Sequence, residues 1–368
     1  MALEKQSLFF KKLVIVEVRY QTVLITGAGG LVGGNIAEHY LKLGLRVIGI
    51  DDDSRRRFFG ESAGTSWRIS QLEENFRNFT NFKTNIADKS ALFEICSQVE
   101  PHLVVHAAAQ PSHDFAAKNV YTDFEANAIG TLNMLEASRK FFPEVNFIHF
   151  STNKVYGDSV NSIPFVEKDL RFEYSNEKLG VGIDENQSID QSRHSLFGVS
   201  KVFADLAVQE YGLNFGMRTT VLRGGCLTGP HHSSSEAHGF LSYLVRSAVN
   251  NVPYKIIGYL GKQVRDNIHT DDVICLIDKI LEKPNYGDVF NLGGGFSNSI
   301  SILEMIDLLK KNFGLNVNSS YVETERFGDH RIYYTSNQKL VNRYPKWQVR
   351  KSIFDIVEDL IKEWENRK

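Results

Sequence analysis

Apolar residues along the first 223 positions fall into two kinds of pattern that alternate. Short runs rich in Val, Ile, Leu and Phe predict buried strands, and stretches with helical apolar spacing predict helices between them. The predicted strands are 23–25, 47–50, 79–84, 103–107, 145–150 and 219–223, and the predicted helices are 36–43, 88–98, 123–142 and 195–211, the last closed by Gly212. Alternating strands and helices are typical of parallel sheets. The sequence therefore predicts an α/β fold with a doubly wound parallel sheet.

A glycine-rich turn joins the first predicted strand to the first predicted helix, where residues 26–34 read TGAGGLVGG. Gly27 suits the tight turn off the strand, Gly30 lets the backbone approach a pyrophosphate, and Gly33 allows helix and strand to pack closely. The helix start then offers free N–H groups to phosphates. Strand, glycine turn and helix in this order predict a Rossmann dinucleotide site.

The second predicted strand ends in Asp51, 24 residues after Gly27. A carboxylate at that distance suits the adenosine ribose of NAD, so NAD is favoured over NADP. The basic run 55–57 is interpreted as a solvated loop or as a contact to the adenosine end of the cofactor. The predicted cofactor-binding residues are Gly27, Gly30, Leu31, Val32, Gly33, Asp51, Asp52, Asn85, Ile86, Ala107, Ala108, Ala109, Asn127 and Lys201.

The pattern becomes mixed after residue 223. Strands are predicted at 254–257 and 289–291, and helices at 271–281, 301–313 and 352–364. We interpret 22–223 as the dinucleotide-binding domain and 224–368 mainly as a smaller, mixed α/β C-terminal substrate lobe, with 264–292 returning to the first domain. Residues 1–21 are an N-terminal extension in this interpretation. The polar, aperiodic segment 157–193 is interpreted as a flap over the substrate.

Composition narrows the class of protein. The chain of 368 residues has a net charge of −2 with interspersed signs, which gives no general reason to bind nucleic acid or an anionic membrane. Three widely spaced cysteines indicate neither a disulfide framework nor a zinc site, and a reducing cytoplasm fits them. The histidines within 231–238 are interpreted as polar groups of a loop, so no metal is predicted.

Several motifs together resemble the extended short-chain dehydrogenase/reductases, in particular the nucleotide-sugar epimerases and dehydratases. They are TGAGGLVG, Asp51, the alanine-rich strand end, STNKVYGD at 151–158, SLFGVSK at 195–201 and VRDNIHTDD at 264–272. The subgroup that epimerises CDP-linked sugars is the most similar. The resemblance implies NAD as cofactor, a nucleoside diphosphate sugar as substrate and a cytoplasmic homodimer.

The resemblance also implies catalytic roles. Thr152 would donate its hydroxyl to a sugar oxygen, a Tyr would accept the proton, and Lys201 would hold the nicotinamide ribose and lower the Tyr pKa. The expected Tyr position is Phe197, four residues before Lys201. Phenylalanine cannot take a proton, and a general base contributes a rate factor of roughly 10² to 10⁴.

Three interpretations of Phe197 compete. Another residue acts as the base, Phe197 is an engineered substitution, or the protein binds without turnover. The candidate replacement bases are Tyr156, His113, His194 and Asp114.

The predicted substrate-binding residues are His113, Asn153, Arg265, Arg326 and Asp329. Arginine suits a diphosphate because its planar fork meets phosphate oxygens bidentately. The alternative for each arginine is an ion pair within the protein. A dehydratase or reductase is the second enzyme hypothesis, although a dehydratase of this family would carry an acid pair where Asn153 and Lys154 stand. A non-catalytic dinucleotide sensor is the third hypothesis.

Overall fold

The fold is built around one parallel sheet. The structure, a computed structural model, describes residues 21–175, 181–236, 238–324 and 328–367. The strands of the main sheet are β1 (Thr22–Thr26), β2 (Arg46–Ile50), β3 (Phe79–Phe82), β4 (Leu103–His106), β5 (Asn146–Thr152), β8 (Arg218–Gly224) and β12 (Asp288–Leu292). They lie in the order β12-β8-β5-β4-β1-β2-β3, and every neighbouring pair is parallel. The predicted doubly wound α/β fold is confirmed.

Helices cover both faces of the main sheet. Those of the first part are α1 (Leu31–Lys42), α2 (Arg55–Phe59), α3 (Ser66–Asn75), α4 (Lys89–Cys96), α5 (His113–Lys118), α6 (Val120–Phe124), α7 (Gly130–Phe141) and α8 (Leu196–Phe215), with a π-helical turn at Glu125–Ile129 between α6 and α7. Alternate residues of each strand face opposite sides: Val23 and Ile25 pack in one apolar core and Leu24 in the other.

The smaller sheets lie in the second part of the chain and in the segment before α8. Their strands are β6 (Phe165–Glu167), β7 (Phe172–Tyr174), β9 (Cys226–Thr228), β10 (Tyr254–Ile257), β11 (Val264–His269), β13 (Ser299–Ser301), β14 (Ser319–Val322) and β15 (Ile332–Tyr333). The remaining helices are α9 (Phe240–Asn250), α10 (Thr270–Glu282), α11 (Ile302–Phe313), α12 (Gln338–Arg343) and α13 (Ile353–Asn366). Helices α9, α11 and α13 share a third apolar core. No helix among the described residues is long and apolar enough to span a membrane.

The second part of the chain returns to the first core in two stretches, 268–292 and 340–347. Strand β12 becomes the edge of the main sheet beside β8, and residues of α10 pack in the core that contains Val23. Strand β11, by contrast, belongs to the four-stranded sheet with β9, β13 and β15. Leu340 and Trp347 also pack in the first core, a second return that the apolar pattern did not reveal. The predicted extension comprises residues 1–21, of which residues 1–20 lie outside the described residues.

Two sequence predictions need correction. No helix was predicted between the strands 47–50 and 79–84, but this connection contains α2 and α3, and Ile69 is buried in the first core. Helix α8 does not close at Gly212 but continues to Phe215, and Gly216 ends it in the left-handed conformation with φ +67°. Gly212 is required for another reason, since a Cβ there would lie 2.2 Å from the backbone nitrogen of Gly287.

The predicted flap is more ordered than its sequence pattern indicated. Its described part, 157–175 and 181–193, contains the antiparallel pair of β6 and β7. Phe172 and Tyr174 are buried with Tyr333 and Tyr334 in a fourth apolar core. None of its described residues lines the cavity discussed below. The aromatic side chains therefore pack this segment against the smaller sheet, away from the place that a flap would cover.

The tight contact at Gly212 predicts that adding one methyl group at this position lowers the stability of the fold strongly. Gly212→Ala should lower the free energy of unfolding by about 3 kcal/mol, because backbone atoms cannot move aside as a side chain can. Gly216→Ala is the matched control: open space surrounds that Cβ, so only left-handed strain of about 1 kcal/mol is expected. Urea unfolding of both variants measures this. An effect at Gly212 no larger than that at Gly216 would contradict the contact.

Candidate active site

A cavity of about 590 Å³ lies at the carboxyl ends of the central strands. It extends from the turns after β1 and β2, past the ends of β4 and β5, to residues of β9, β10 and β11. Strand order reverses between β1 and β4, and ligands of such sheets bind outside the strand ends at this switch point. The cavity is therefore lined both by the predicted dinucleotide site and by residues of the second part of the chain.

The glycine turn has the shape that a pyrophosphate requires. A Cβ on Gly33 would lie 2.2 Å from the carbonyl oxygen of Gly27, so only glycine lets the turn and the helix approach this closely. Gly27 itself has φ +72°, and a Cβ there would meet the backbone of Ala108 at 2.8 Å. No side chain caps the start of α1 at Gly30, which leaves its N–H groups for an anion. These features fit NAD.

Asp51 is held in place by the protein and retains capacity for a ligand. Its Oδ2 accepts from the backbone N–H of Gly29 at 2.9 Å, and its Oδ1 accepts from the N–H of Asp53 at 2.9 Å and from the Thr65 hydroxyl at 3.1 Å. Burial raises the pKa of this carboxyl, and these hydrogen bonds oppose the effect. A carboxylate has about four acceptor positions, so a ribose hydroxyl can still donate to Oδ2.

Most of the predicted cofactor residues line the cavity. These are Gly27, Gly30, Leu31, Val32, Gly33, Asp51, Asp52, Asn85, Ile86, Ala107, Ala108, Ala109 and Lys201. Asp52 and Asn85 contact each other, with the Asn85 amide donating to Asp52 Oδ2 at 3.1 Å. Asn127 is the exception: it is 1% exposed and does not line the cavity. Its amide instead donates to the carbonyl of Gln110, to Asp123 and to Ser200.

Sequence reasoning did not connect the basic run at 55–57 with the histidine run at 231–238. Arg55 Nη2 donates to the carbonyl of Ser233 at 2.9 Å and lies 3.3 Å from His238 Nδ1. Trp67 Nε1 donates to Ser233 Oγ at 3.0 Å. Burial lowers the pKa of Arg55 to about 10. Arg55 and His238 both line the cavity, at the end where the adenosine of NAD is expected.

Thr152, Phe197 and Lys201 meet in the same cavity. Thr152 ends β5, and the other two residues lie on one face of α8, whose first turn is capped by Ser195. Lys201 Nζ donates to the carbonyl of Phe150 at 2.9 Å. Burial lowers the pKa of Lys201 to about 8, although Asp205 and Asp123 partly oppose it. The ammonium thus remains mostly charged at neutral pH although the side chain is buried.

The candidate replacement bases occupy very different surroundings. Tyr156 is buried beneath the site, where its hydroxyl donates to Asn291 Oδ1 at 2.6 Å, and burial raises its pKa to about 12. His194 donates from Nε2 to the carbonyl of Ile189 at 2.9 Å. Neither side chain lines the cavity, whereas His113 and Asp114 both do.

The substrate side of the cavity contains a compact group of charges. Asp329 Oδ1 lies 2.6 Å from Arg265 Nη2 and 3.3 Å from Lys154 Nζ. The two cations lower the pKa of Asp329 well below its usual range despite burial. Arg265, Asp329, His113 and Asn153 line the cavity as predicted for substrate-binding residues, and Arg326 lies outside the described residues. Lys154 also lines the cavity but was not predicted, because its contact with Asp329 joins distant parts of the sequence.

The geometry at Asp51 predicts cofactor selectivity. Asp51→Ala should weaken NAD about ten- to hundredfold, because a hydrogen bond to a charged group contributes roughly 1.5–3 kcal/mol. NADP should be affected little, since its 2′-phosphate cannot donate to the carboxylate. Calorimetric titration with both dinucleotides measures the difference. An equal loss for NAD and NADP would reject the assignment of Asp51 to the ribose.

Comparisons with known proteins identify the family of the chain. A model of the NAD dependent epimerase/dehydratase family matches residues 23–293. CDP-paratose 2-epimerase from Salmonella typhi is 31% identical over 345 residues, which cover 92% of this chain and 97% of that protein. The X-ray structure of Pal from Bacillus thuringiensis has a TM-score of 0.78 at 21% identity, covering 95% of this chain and 100% of that one.

A further solved structure is the UDP-glucuronic acid 4-epimerase from Bacillus cereus in complex with UDP-glucuronic acid and NAD. Its TM-score is 0.75 at 22% identity, and the match covers 95% of this chain and 100% of that chain. The resemblance seen in the sequence motifs is confirmed, and the chain belongs to the NAD dependent epimerase/dehydratase family, with NAD as its cofactor.

Proposed function

We propose that the protein is an NAD-dependent epimerase of a nucleoside diphosphate sugar, of the CDP-paratose/CDP-tyvelose type, acting at carbon 2 through a transient keto sugar. The observation that carries this proposal is one continuous cavity lined by the glycine turn, by Thr152 and Lys201, and by Arg265. The similarity to CDP-paratose 2-epimerase supports the choice of sugar. The Bacillus cereus relative, which binds NAD together with a nucleotide sugar, supports joint occupancy.

The residues of the cavity suit this chemistry. When bound, NAD supplies the acceptor and donor of a hydride. Thr152 offers a hydroxyl to the reacting sugar oxygen, and the Lys201 ammonium favours negative charge near it, because a cation acts strongly where water is excluded. Arg265 places a second cation on the substrate side for the diphosphate.

Residues 153 and 154 favour epimerisation over dehydration. Loss of water from a sugar needs an acid and a base beside the leaving hydroxyl. Asn153 cannot exchange a proton, and the Lys154 ammonium is held by Asp329 and by the carbonyl of Gly328 at 3.2 Å. A dehydratase is therefore the second candidate, and a binding protein without turnover is the third.

Product masses from a panel of CDP-, UDP- and dTDP-sugars distinguish these functions. We expect one CDP-sugar to reach equilibrium with an isomer of unchanged mass that separates by chromatography. Loss of one water would identify a dehydratase instead. Binding of sugars without any new product would favour a sensor, and retention of NAD through purification would then be the decisive second observation, since a sensor should exchange its ligand readily.

We also propose that the protein forms a homodimer in the cytoplasm through α8. Val199, Phe203 and Leu206 are 41%, 43% and 42% exposed and lie on one side of that helix. Leu196 and Leu213 extend the same stripe. A second copy of the chain suits it, because a two-fold axis pairs a surface with itself. The three cysteines are free thiols, which suits a reducing compartment.

The exposed apolar residues on one side of α8 predict which substitution would dissociate the proposed dimer. Leu206→Glu should convert the dimer into a monomer, because it would bury a charge at the centre of an apolar interface. Leu43→Glu is the matched control, since Leu43 is a comparably exposed leucine that follows α1. Sedimentation velocity measures both masses. A wild-type monomer, or equal behaviour of the two variants, would contradict the interface.

A further inference from the structure

A polar segment between β9 and α9 contacts the first part of the chain at the end of the cavity where the adenosine of NAD is expected. We propose that residues 230–234, here named the strap, retain NAD in the cavity and that Ser233 is their anchor, an inference that rests on NAD as the cofactor and not on the proposed epimerase activity. His232 of the strap lines the cavity, whereas Ser233 does not.

The strap is buried although its sequence is polar. His232, Ser233 and Ser234 are 4%, 7% and 1% exposed. Connecting segments usually lie on the surface, because buried polar groups need hydrogen-bond partners. Burial of three consecutive polar residues therefore indicates that specific contacts hold the strap between the two parts of the chain.

Ser233 makes several of these contacts. Its hydroxyl accepts from Trp67 Nε1 at 3.0 Å and donates to the carbonyl of Gly64 at 3.1 Å. Its own carbonyl accepts from Arg55 Nη2 at 2.9 Å and from Arg55 Nε at 3.3 Å. One residue of the second part thus binds α2, α3 and the connection between them.

The start of the strap is held separately. The Asn35 amide, on α1, donates to the carbonyl of Pro230 at 3.0 Å. The His231 imidazole lies near two carboxylates, with Nδ1 3.2 Å from Glu363 Oε1 on α13 and Nε2 3.8 Å from Glu38 Oε2 on α1. The strap is therefore attached to the same helix that begins at the glycine turn.

These contacts connect the strap to the residues that are expected to hold the adenosine of NAD. Gly64 precedes Thr65, whose hydroxyl donates to Asp51 Oδ1 at 3.1 Å. Arg55 of α2 and His232 of the strap both line this end of the cavity. Separating the strap from α2 and α3 would therefore open this end and release the adenosine of NAD.

Closure of the strap and binding of NAD are thermodynamically coupled in this proposal. If NAD binds the closed strap more tightly than the open one, bound NAD must also favour closure, because such coupling is reciprocal. The indole N–H of Trp67 reports closure, since it donates to Ser233 Oγ. Trp67 does not line the cavity, so this N–H is not a contact of the cofactor itself.

Exchange of bound NAD tests the strap without any sugar or turnover. The protein is loaded with NAD and mixed with an excess of deuterium-labelled NAD, and mass spectrometry follows the replacement. Trp67→Phe keeps an aromatic ring and removes the N–H, so NAD should exchange about three- to tenfold faster, the factor expected for one neutral hydrogen bond. Ser233→Ala should have at least the same effect, since it also removes the bond to Gly64. The double variant should be no faster than Ser233→Ala, because both changes remove the same bond.

Trp347→Phe is the matched control. The Trp347 indole donates to the carbonyl of Asp272 at 2.9 Å, and neither residue lines the cavity. This variant also loses an indole hydrogen bond but should exchange NAD at the wild-type rate. Equal acceleration in all three single variants would show that any loss of stability speeds release. Wild-type rates in both Trp67→Phe and Ser233→Ala would show that the strap does not retain NAD, and either result would overturn the proposal.

¹⁵N NMR of the indole groups provides a second readout. The chain has three tryptophans, so the Trp67 signal is assigned by its loss in Trp67→Phe. Solvent exchange of this N–H should slow when NAD is added and should be faster in Ser233→Ala than in wild type. An exchange rate that NAD does not change would contradict the coupling. The proposed function fails separately, if wild type converts no nucleotide sugar.

Discussion

A buried ion pair between Arg223 and Asp205 fixes the relative positions of β5, β8 and α8, which carry the proposed catalytic residues. Arg223, in β8, donates from Nε and Nη2 to the two carboxylate oxygens at 2.9 Å each, and Ser151 Oγ donates to the same carboxylate at 2.6 Å. Asp205 lies four residues after Lys201 on α8, and Ser151 precedes Thr152 on β5. The network therefore sets the separation of Thr152 and Lys201. Removing one partner of such a pair costs about 3–5 kcal/mol, because the other charge stays buried.

Charge is distributed unevenly along the cavity, and the distribution suits NAD and the proposed nucleotide sugar. The adenosine end has the Asp51 carboxylate, which suits ribose hydroxyls, and the glycine turn presents N–H groups to phosphates. The substrate side has Arg265 and Lys154, which share Asp329 as their partner. Burial lowers the pKa of Lys154, and the Asp329 carboxylate opposes this effect. Such cations suit the diphosphate of the proposed nucleotide sugar.

Local sequence patterns predicted those elements whose structure is determined by neighbouring residues in the chain. Gly30 and Gly33 meet constraints set by residues of the same turn, and the positive φ of Gly27 is also a local requirement, so the turn and its function were visible in the sequence. The close approach of Gly27 to Ala108 was not visible, because Ala108 is far away in the chain. Gly212 was misread because its constraint is the backbone of Gly287, far away in the chain. Lys154 and the buried place of Tyr156 depend likewise on partners brought together by the fold. The strands could be predicted because runs of apolar residues indicate burial. The observed strand ends differ from the predicted ones by a few residues.

The fate of deuterium at the reacting carbon tests the proposed epimerase chemistry most directly. A nucleotide sugar that wild type converts would be labelled with deuterium at the epimerised position and incubated in ordinary water. The account predicts that the product keeps its deuterium, because the same hydrogen leaves the sugar and returns to its other face. Loss of deuterium to the solvent would show that a proton, not a hydride, is exchanged, and would contradict the account whichever residue acts as the base.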